Sequence, residues 1–307
     1  MKNIKDIKIL GISIIGGFVL IAICLIGIII GSIADYEISA FLANKTGIGT
    51  WFANYGGYFS YCLYPAAGMC LFKGLKKKNL TIIAWGLLIV SYFLAVYYCN
   101  SYFGKSIREV FNYRAGESPF IISMLSYLFW VVLLAWVPPL MYYLLDDDNS
   151  NLLIVIGSVI LIAGVISDLV NLWLKQVASR PRYKYLITLE DPRARFKNWW
   201  EMSPNLAGSN DSFKSWPSGN MTIATMMFAL PLFADVIRFK KNIIRWILYV
   251  FAFVWVIIYG YNRIHMTAHF LTDVCFGTLI TFLIFAAASI IGNSALNKQL
   301  IDEIKTI

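Results

Sequence analysis

Long hydrophobic runs alternate with polar segments along the whole chain. A membrane-spanning helix needs about 20 consecutive, mostly apolar residues, and eight runs approach or exceed that length. Asp35 and Glu37 follow the first run, where a signal peptide would have a small-residue cleavage site, so we predict that this run is a retained first helix. The pattern predicts an all-α, polytopic membrane helix bundle with about eight spans. The predicted spans are Ile9–Ile33, Trp51–Phe72, Leu80–Cys99, Phe120–Leu145, Asn151–Leu174, Ser218 to just before Arg238, Ile243–Gly260 and Ala268–Ile291.

The composition supports a membrane protein. Hydrophobic residues make up 59% of the chain and charged residues 14%, whereas soluble domains have roughly 45–50% and about 25%. The mean hydropathy of +0.67 points the same way. These values exclude a disordered chain and argue against an ordinary soluble enzyme. We predict one integral membrane domain over residues 1–307, with amino-terminal helices over about 1–150 and a motif-bearing core over about 151–291.

Lysines and arginines predict the orientation of the bundle. Cytoplasmic loops are enriched in these residues, and here they cluster before the first span, after the second, between the sixth and seventh, and after the eighth. An even number of spans places all four clusters on one face. We therefore predict a multi-pass protein of the cell membrane with both termini in the cytoplasm. The clusters are Lys2, Lys5 and Lys8; Lys76, Lys77 and Lys78; Arg238, Lys240, Lys241 and Arg245; and Lys298 and Lys305.

The loop from Gln176 to Ser215 breaks this charge pattern. It falls on the extracytoplasmic face but is rich in basic residues. A solvated basic loop is one explanation, but the segments that flank the loop favour a site for an anion. The basic clusters and this loop together explain the net charge of +9. Because the chain has no nucleic-acid motif, we predict no nucleic-acid partner. The basic residues of the loop are Arg180, Arg182, Lys184, Arg193, Arg195, Lys197 and Lys214.

Three polar segments fall at the extracytoplasmic ends of predicted helices: Lys175–Arg182 ends the fifth span, Trp216–Asn220 opens the sixth, and Arg263–Asp273 opens the eighth. Lysine and arginine neutralise phosphate oxygens, and an arginine can bind two of them. Ser218 and Gly219 lie at a helix start, where free backbone N–H groups favour an anion and glycine lets a ligand approach the backbone. We predict an oxyanion site.

His269 and Asp273 are the candidate reactive pair. They are four residues apart and therefore share one face of a helix. A carboxylate on one imidazole nitrogen fixes the tautomer and leaves the other nitrogen available as a nucleophile. Phosphoryl transfer needs little beyond such positioning and electrostatic stabilisation of the transferred group. No metal-binding cluster occurs in the sequence, so we expect neither a metal nor a cofactor.

The combined spacing resembles the signature of the type-2 phosphatidic acid phosphatase superfamily, over roughly residues 151–291. Lys175 is followed by six residues and an arginine, Pro-Ser-Gly follows, and Arg263 is followed by five residues, a histidine, three residues and an aspartate. The resemblance implies a metal-independent membrane phosphatase with a phosphohistidine intermediate and a core of six helices, which leaves two extra helices among the first four. The implied roles are nucleophile for His269, orientation for Asp273, and phosphate binding for Lys175, Arg182, Ser218, Gly219 and Arg263.

Three positions depart from the family pattern. Tyr183 follows Arg182 where the family has proline, although Arg180-Pro181 gives a shifted Arg-Pro, and Asn262 precedes Arg263 in place of serine. More seriously, Asn220 replaces the histidine that acts in the family as general acid on the leaving group. Three explanations remain open: an engineered inactivating change, a natural protein that only binds phosphorylated lipid, or a leaving group that needs no acid.

Two functions follow from these expectations. The first is hydrolysis of a lipid phosphate or lipid diphosphate at the outer leaflet, with a phospholipid or polyprenyl compound as substrate. The alternative is a non-catalytic protein that binds or carries lipid phosphate. Asp168 is a candidate partner of Lys175 from the same helix face. Trp199, Trp200 and Trp216 suit either the membrane interface or a lid over the site.

Overall fold

The structure, a computed structural model, describes residues 14–44, 49–50, 52, 56–110, 120–146, 148–203, 211–238 and 241–305. Within these ranges, residues 14–15, 102–110, 241 and 299–305 are described by their backbone alone. The described chain is helical, with connecting turns and no strand among its elements. The helices are α1 (Ile14–Leu42), α2 (Gly57–Tyr61), α3 (Leu63–Lys77), α4 (Thr81–Val110), α5 (Phe120–Leu134), α6 (Val137–Leu144), α7 (Ser150–Ala178), α8 (Tyr183–Leu186), α9 (Gly219–Thr225), α10 (Leu230–Phe233), α11 (Lys241–His265) and α12 (Leu271–Lys305).

Six segments of the described chain are long and apolar enough to cross a membrane. A helix satisfies its backbone hydrogen bonds internally, which is what a lipid environment requires. The predicted all-α, polytopic membrane protein is therefore confirmed. The six segments are Gly16–Leu42, Thr81–Ser101, Phe120–Leu144, Ser150–Leu186, Asn242–His265 and Leu271–Lys298.

The second and sixth predicted spans are not single long helices. The second is divided into α2 and α3. The sixth consists of α9, a 3₁₀ turn at Met226–Ala229, and α10. Pro231 lies at the start of α10 and has no backbone N–H to continue the ladder, which favours a break there. The hydrophobic run alone indicates neither interruption.

Helix α1 differs from its prediction at the carboxyl end. We expected the first span to end at Ile33 because acidic residues follow. The helix instead bends at Ala34, whose φ and ψ are −135° and 23°, and continues to Leu42. Asp35 is buried and bonded to Arg180, so its charge does not force the chain into water.

Other boundaries also differ from their predictions, and some predictions cannot be compared. Helix α4 runs past Cys99 into the segment 100–119 that we expected to be a polar loop. The predicted starts Ile9 and Trp51 lie outside the described residues. Lys2, Lys5, Lys8 and Lys240 of the basic clusters lie outside them too.

The chain divides into two compact units. The first draws on Met1–Ala53, Ala163–Phe228 and Tyr249–Ala287, and the second on Asn54–Ile162, Ala229–Leu248 and Ala288–Ile307. All the predicted site residues fall in the first unit. In the second, α3 packs against α4 and α6, and the buried Lys73 Nζ donates to the Leu145 carbonyl at 2.8 Å.

Helix α11 shows how a membrane helix presents two faces. One side is buried and carries Ala252, Tyr259 and Arg263. The opposite side is an exposed apolar stripe at helical spacing, which would be unfavourable in water and suits contact with lipid tails. The stripe consists of Ile243, Trp246, Ile247, Val250, Val254, Ile257 and Ile258.

Candidate active site

Two glycines let the elements around the candidate site approach closely. A Cβ atom on Gly277 would lie 2.5 Å from the carbonyl oxygen of Ser218, so α12 meets the start of α9 at backbone distance. A Cβ atom on Gly219 would lie 3.1 Å from Lys175 Nζ. The Lys175 ammonium group therefore lies beside the backbone at Gly219, as the predicted oxyanion site requires.

His269 is fully buried in the turn between α11 and α12. Its Nδ1 lies 2.7 Å from the carbonyl oxygen of Ser215. Because a carbonyl can only accept, Nδ1 carries the proton and Nε2 has a lone pair. Burial is the main reason that the pKa of His269 is lowered to about 3; Asp273 opposes this shift, whereas Arg182 and Lys175 add to it. The imidazole is therefore neutral at neutral pH.

Asp273 does not orient His269 in the way the spacing suggests. Its Oδ2 atom lies 3.8 Å from His269 Nδ1, which is too long for a hydrogen bond. Oδ2 instead accepts from the Ser215 hydroxyl at 2.5 Å and from the Phe270 backbone N–H at 2.9 Å. Asp273 thus fixes Ser215, and the Ser215 carbonyl in turn accepts from His269. The negative charge of Asp273 remains close to the imidazole.

The two arginines of the Arg-Pro-Arg segment occupy different environments. Arg180 is buried and donates from Nη1 to Asp273 Oδ1 at 2.6 Å. Arg182 forms an ion pair with Asp211 at 2.8 Å, and its charge acts on both His269 and Lys175. The geometry supports Arg182 as the phosphate-binding candidate of the pair, because both terminal nitrogens of Arg180 are bound to buried carboxylates, whereas Arg182 keeps an Nε atom without a hydrogen-bond partner among the described residues.

Arg263 and Asn220 are linked through Tyr259. The guanidinium of Arg263 lies over the Tyr259 ring, 5.4 Å from its centroid, and donates to Asn262 Oδ1 at 2.6 Å. The Asn220 amide donates to the Tyr259 hydroxyl at 3.4 Å. The Arg263 carbonyl also accepts from the His269 backbone N–H at 3.3 Å. Arg263 therefore shapes the turn that carries His269, and its side chain lies near Asn220.

Three separate segments of the predicted site each carry a buried polar atom without a hydrogen-bond partner among the residues that the structure describes. These atoms include His269 Nε2, Ser218 Oγ and Arg182 Nε. Ser218 is the N-cap residue of α9, but its hydroxyl makes no capping bond. Buried polar groups are rarely left unsatisfied. Unpartnered atoms on three separate segments of one site are therefore typical of a place that receives a polar ligand.

Comparison with known proteins gives a family match for part of the chain. The sequence model of the PAP2 superfamily matches residues 151–295. This region, called the PAP2 region below, is therefore similar to that superfamily. Neither a curated protein nor a solved structure gave a significant match to the chain. The chain is thus a multi-pass membrane protein with a PAP2 region, and PAP2 proteins are generally phosphatases.

The loop of the PAP2 region is folded onto the candidate site. Phe270 packs with Tyr183 and Leu186 of α8, and the Lys184 N–H donates to the Thr267 carbonyl at 2.9 Å.

Asp168 interacts electrostatically with Lys175, as do Asp211 and Asp273. Asp168, the candidate partner from the same helix face, is thus one of three aspartates whose charges act on Lys175.

The three tryptophans differ in exposure. Trp216 is buried, and Trp199 packs against it and donates to the Ser32 hydroxyl at 2.9 Å. Trp200 is exposed. Trp200 therefore suits a membrane interface better than the other two, which belong to the packing of the loop.

Sequence reasoning missed Asp35, Ser215 and Tyr259. Tyr259 precedes Arg263 by four residues and so shares its helix face, which is a signal that the spacing could have supplied. Ser215 acts through its carbonyl, and no side-chain pattern marks such a role. Asp35 is 145 residues from Arg180 and 237 residues from Thr272 along the chain, so only the tertiary structure reveals it.

Replacing Lys175 with Met should weaken binding of orthovanadate, a tetrahedral oxyanion, by about 10- to 100-fold. A charge-assisted hydrogen bond contributes about 1.5–3 kcal/mol, and tenfold in affinity corresponds to about 1.4 kcal/mol. Competition by orthovanadate against substrate, or calorimetry in detergent, measures the change. Arg195→Met is the matched control, because Arg195 is exposed on the same loop. An equal loss in both variants would mean that general charge, and not a site, attracts the anion.

Proposed function

We propose that this protein hydrolyses a lipid phosphate or lipid diphosphate through a phosphohistidine formed on His269. The observation that carries the proposal is the state of the His269 ring. Its Nδ1–H is bound to the Ser215 carbonyl at 2.7 Å, and its buried Nε2 has no hydrogen-bond partner among the described residues. A neutral imidazole held in one tautomer with a free lone pair is prepared for nucleophilic attack.

In the first step, the Nε2 lone pair forms a bond to phosphorus while the bond from phosphorus to the leaving oxygen breaks. The electron pair of that broken bond passes to the leaving group. Lys175 and Arg182 neutralise the oxygens of the transferred group, and the Ser218 hydroxyl donates to one of them. The closeness of Lys175 to Gly219 supports these roles. It places a cation beside a glycine, and glycine has no side chain to block a ligand from the backbone.

Phosphorylation of Nε2 while Nδ1 keeps its proton makes the imidazole ring cationic. Asp273, whose Oδ2 lies 3.8 Å from Nδ1, stabilises that charge without taking the proton. In the second step, water attacks phosphorus, the nitrogen–phosphorus bond breaks, and its electron pair returns to Nε2. Phosphate is released and the neutral ring is restored.

The proposed site faces the extracytoplasmic side of the cell membrane. The support for this orientation is the four basic clusters of the sequence, which fall on the other predicted face, because lysine and arginine are concentrated in cytoplasmic loops. A site at the end of α7 also suits a lipid whose phosphate lies at the membrane surface while its tails stay in the bilayer. A phospholipid phosphate and a polyprenyl diphosphate both have this form.

The competing function is binding or carriage of lipid phosphate without catalysis, and Asn220 favours it. An asparagine donates a hydrogen bond but cannot deliver a proton. The bond from Asn220 to Tyr259 suits a group that shapes a binding site.

Phosphate release separates the two functions. This chain and its Asn220→His variant are reconstituted in vesicles that contain a lipid phosphate monoester or a lipid diphosphate. We expect phosphate release by the variant on both and by this chain on the diphosphate. A tight, saturable interaction with both lipids and no release by either protein would establish the binding function instead.

A further inference from the structure

Asp35 is a buried carboxylate on α1, outside the PAP2 region, and its side chain is 2% exposed. Its Oδ2 accepts from Arg180 Nη2 at 2.9 Å and from the Thr272 hydroxyl. Its Oδ1 accepts from the Thr272 backbone N–H at 3.0 Å. A carboxylate of the first helix therefore binds both the loop after α7 and the first turn of α12.

Arg180 joins this carboxylate to the candidate site. Its two terminal nitrogens bind different carboxylates: Nη2 binds Asp35, and Nη1 binds Asp273 Oδ1 at 2.6 Å. The face of its guanidinium lies 4.3 Å from the centroid of the Phe270 ring. Arg180, Asp35 and Asp273 are each almost completely buried. We call them the Asp35–Arg180–Asp273 triad.

Ser215 connects the triad to the imidazole of His269. Asp273 Oδ2 accepts from the Ser215 hydroxyl at 2.5 Å, and the Ser215 carbonyl accepts from His269 Nδ1 at 2.7 Å. The Ser215 N–H also donates to the Arg180 carbonyl at 3.1 Å. Ser215 is thus held from two sides by the triad, and its carbonyl is the atom that sets the His269 tautomer.

We propose that Asp35 is a positioning residue for His269, acting through Arg180, Asp273 and Ser215. This inference rests on the proposed function, because it assigns a purpose to the orientation of the nucleophile. The guanidinium is bound on two edges and one face, so it cannot turn away from Asp273. Asp273 in turn cannot release Ser215. The amino-terminal part of the chain therefore supplies part of the active-site support, beyond its contribution to the bundle.

The alternative is that Asp35 only stabilises the fold. Breaking a buried ion pair commonly destabilises the whole fold, so turnover alone is an inadequate measurement. Asp35→Asn leaves one arginine opposite one aspartate, a neutral pair, and its amide can still accept one of the bonds that Asp35 accepts. Thr272→Val is a milder second variant that keeps every charge and removes the hydroxyl bridging Arg180 and Asp35.

The decisive measurement is ¹⁵N NMR of histidine-labelled protein in vesicles. The chain has only 2 histidines, so a His265→Gln variant assigns both rings. We expect His269 to show a protonated Nδ1 and an unprotonated Nε2. In Asp35→Asn the ring should become a mixture of tautomers, and Thr272→Val should change it in the same direction but less. This readout does not depend on activity, so it decides the positioning role even if no lipid is hydrolysed.

Turnover is then measured in the Asn220→His background. We expect Asp35→Asn to lower kcat by about 10- to 100-fold, the range that small misplacements of reacting groups produce, while the affinity for inorganic phosphate changes less than about 3-fold. Asp35→Glu, which keeps the charge, should recover part of kcat. Glu37→Gln is the matched control, because it removes an exposed ion pair at 2.5 Å between the same helix and Arg193 of the same loop.

Three results would overturn the positioning role. They are an unchanged His269 tautomer in both folded variants, full kcat in Asp35→Asn, or a loss of inorganic phosphate binding that parallels the loss of kcat. Failure of the proposed function looks different, because the Asn220→His protein itself would then release no phosphate while its His269 tautomer could still respond to Asp35.

Discussion

In the Asn220→His protein, His269→Ala is expected to reduce phosphate release by about 10⁴-fold or more. Removing a nucleophile costs this much when the remaining groups cannot form the covalent intermediate. The structure gives the physical reason, because His269 is the ring whose Nδ1 is fixed by a carbonyl and whose Nε2 lies buried beside the charges of Lys175 and Arg182. Release of inorganic phosphate from lipid vesicles measures the effect.

His265 provides the control for that experiment. Its Nδ1 lies 3.0 Å from the Leu42 carbonyl, and its ring stacks on Tyr261 at a centroid distance of 5.5 Å. These contacts tie it to the end of α1, so His265→Ala should keep most of the turnover. Comparable losses from the two substitutions would refute the assignment of His269 as the nucleophile.

Asn220→His is expected to raise hydrolysis of a lipid phosphate monoester by about 10²–10⁴-fold, the usual contribution of a general acid. A monoester expels an alkoxide, which must be protonated as the bond breaks. A lipid diphosphate expels a lipid phosphate whose second pKa is about 6, and that group leaves as an anion at neutral pH. The gain on the diphosphate should therefore be far smaller.

Single-turnover measurements on both substrates test this difference, because they isolate formation of the phosphohistidine. Asn220→Ala is a useful companion variant, since it removes the bond to Tyr259 without adding an acid. Equal gains of the histidine variant on both substrates would show that Asn220 impairs a step common to them, such as attack geometry, and would refute the leaving-group explanation.

The sequence alone determined the membrane nature of the chain and the composition of the candidate site. Long apolar runs dictate helices, because backbone groups in lipid must bond within their own segment. Local spacing also placed His269 and Asp273 in one turn region and singled out Lys175, Arg182, Ser218 and Gly219. These are short-range properties, and residue type and periodicity express them directly.

Only the tertiary structure showed which partners these residues bind. The spacing paired Asp273 with His269, but in the folded chain Asp273 Oδ2 binds Ser215 and Phe270, and the Ser215 carbonyl binds the imidazole. Spacing selected Arg182 as the phosphate-binding arginine, but it did not show that Arg180 binds both Asp35 and Asp273. Asp35 lies two residues beyond the predicted end of the first span. A buried charge is stable only beside its partner, and which distant segment supplies that partner is a property of the folded chain.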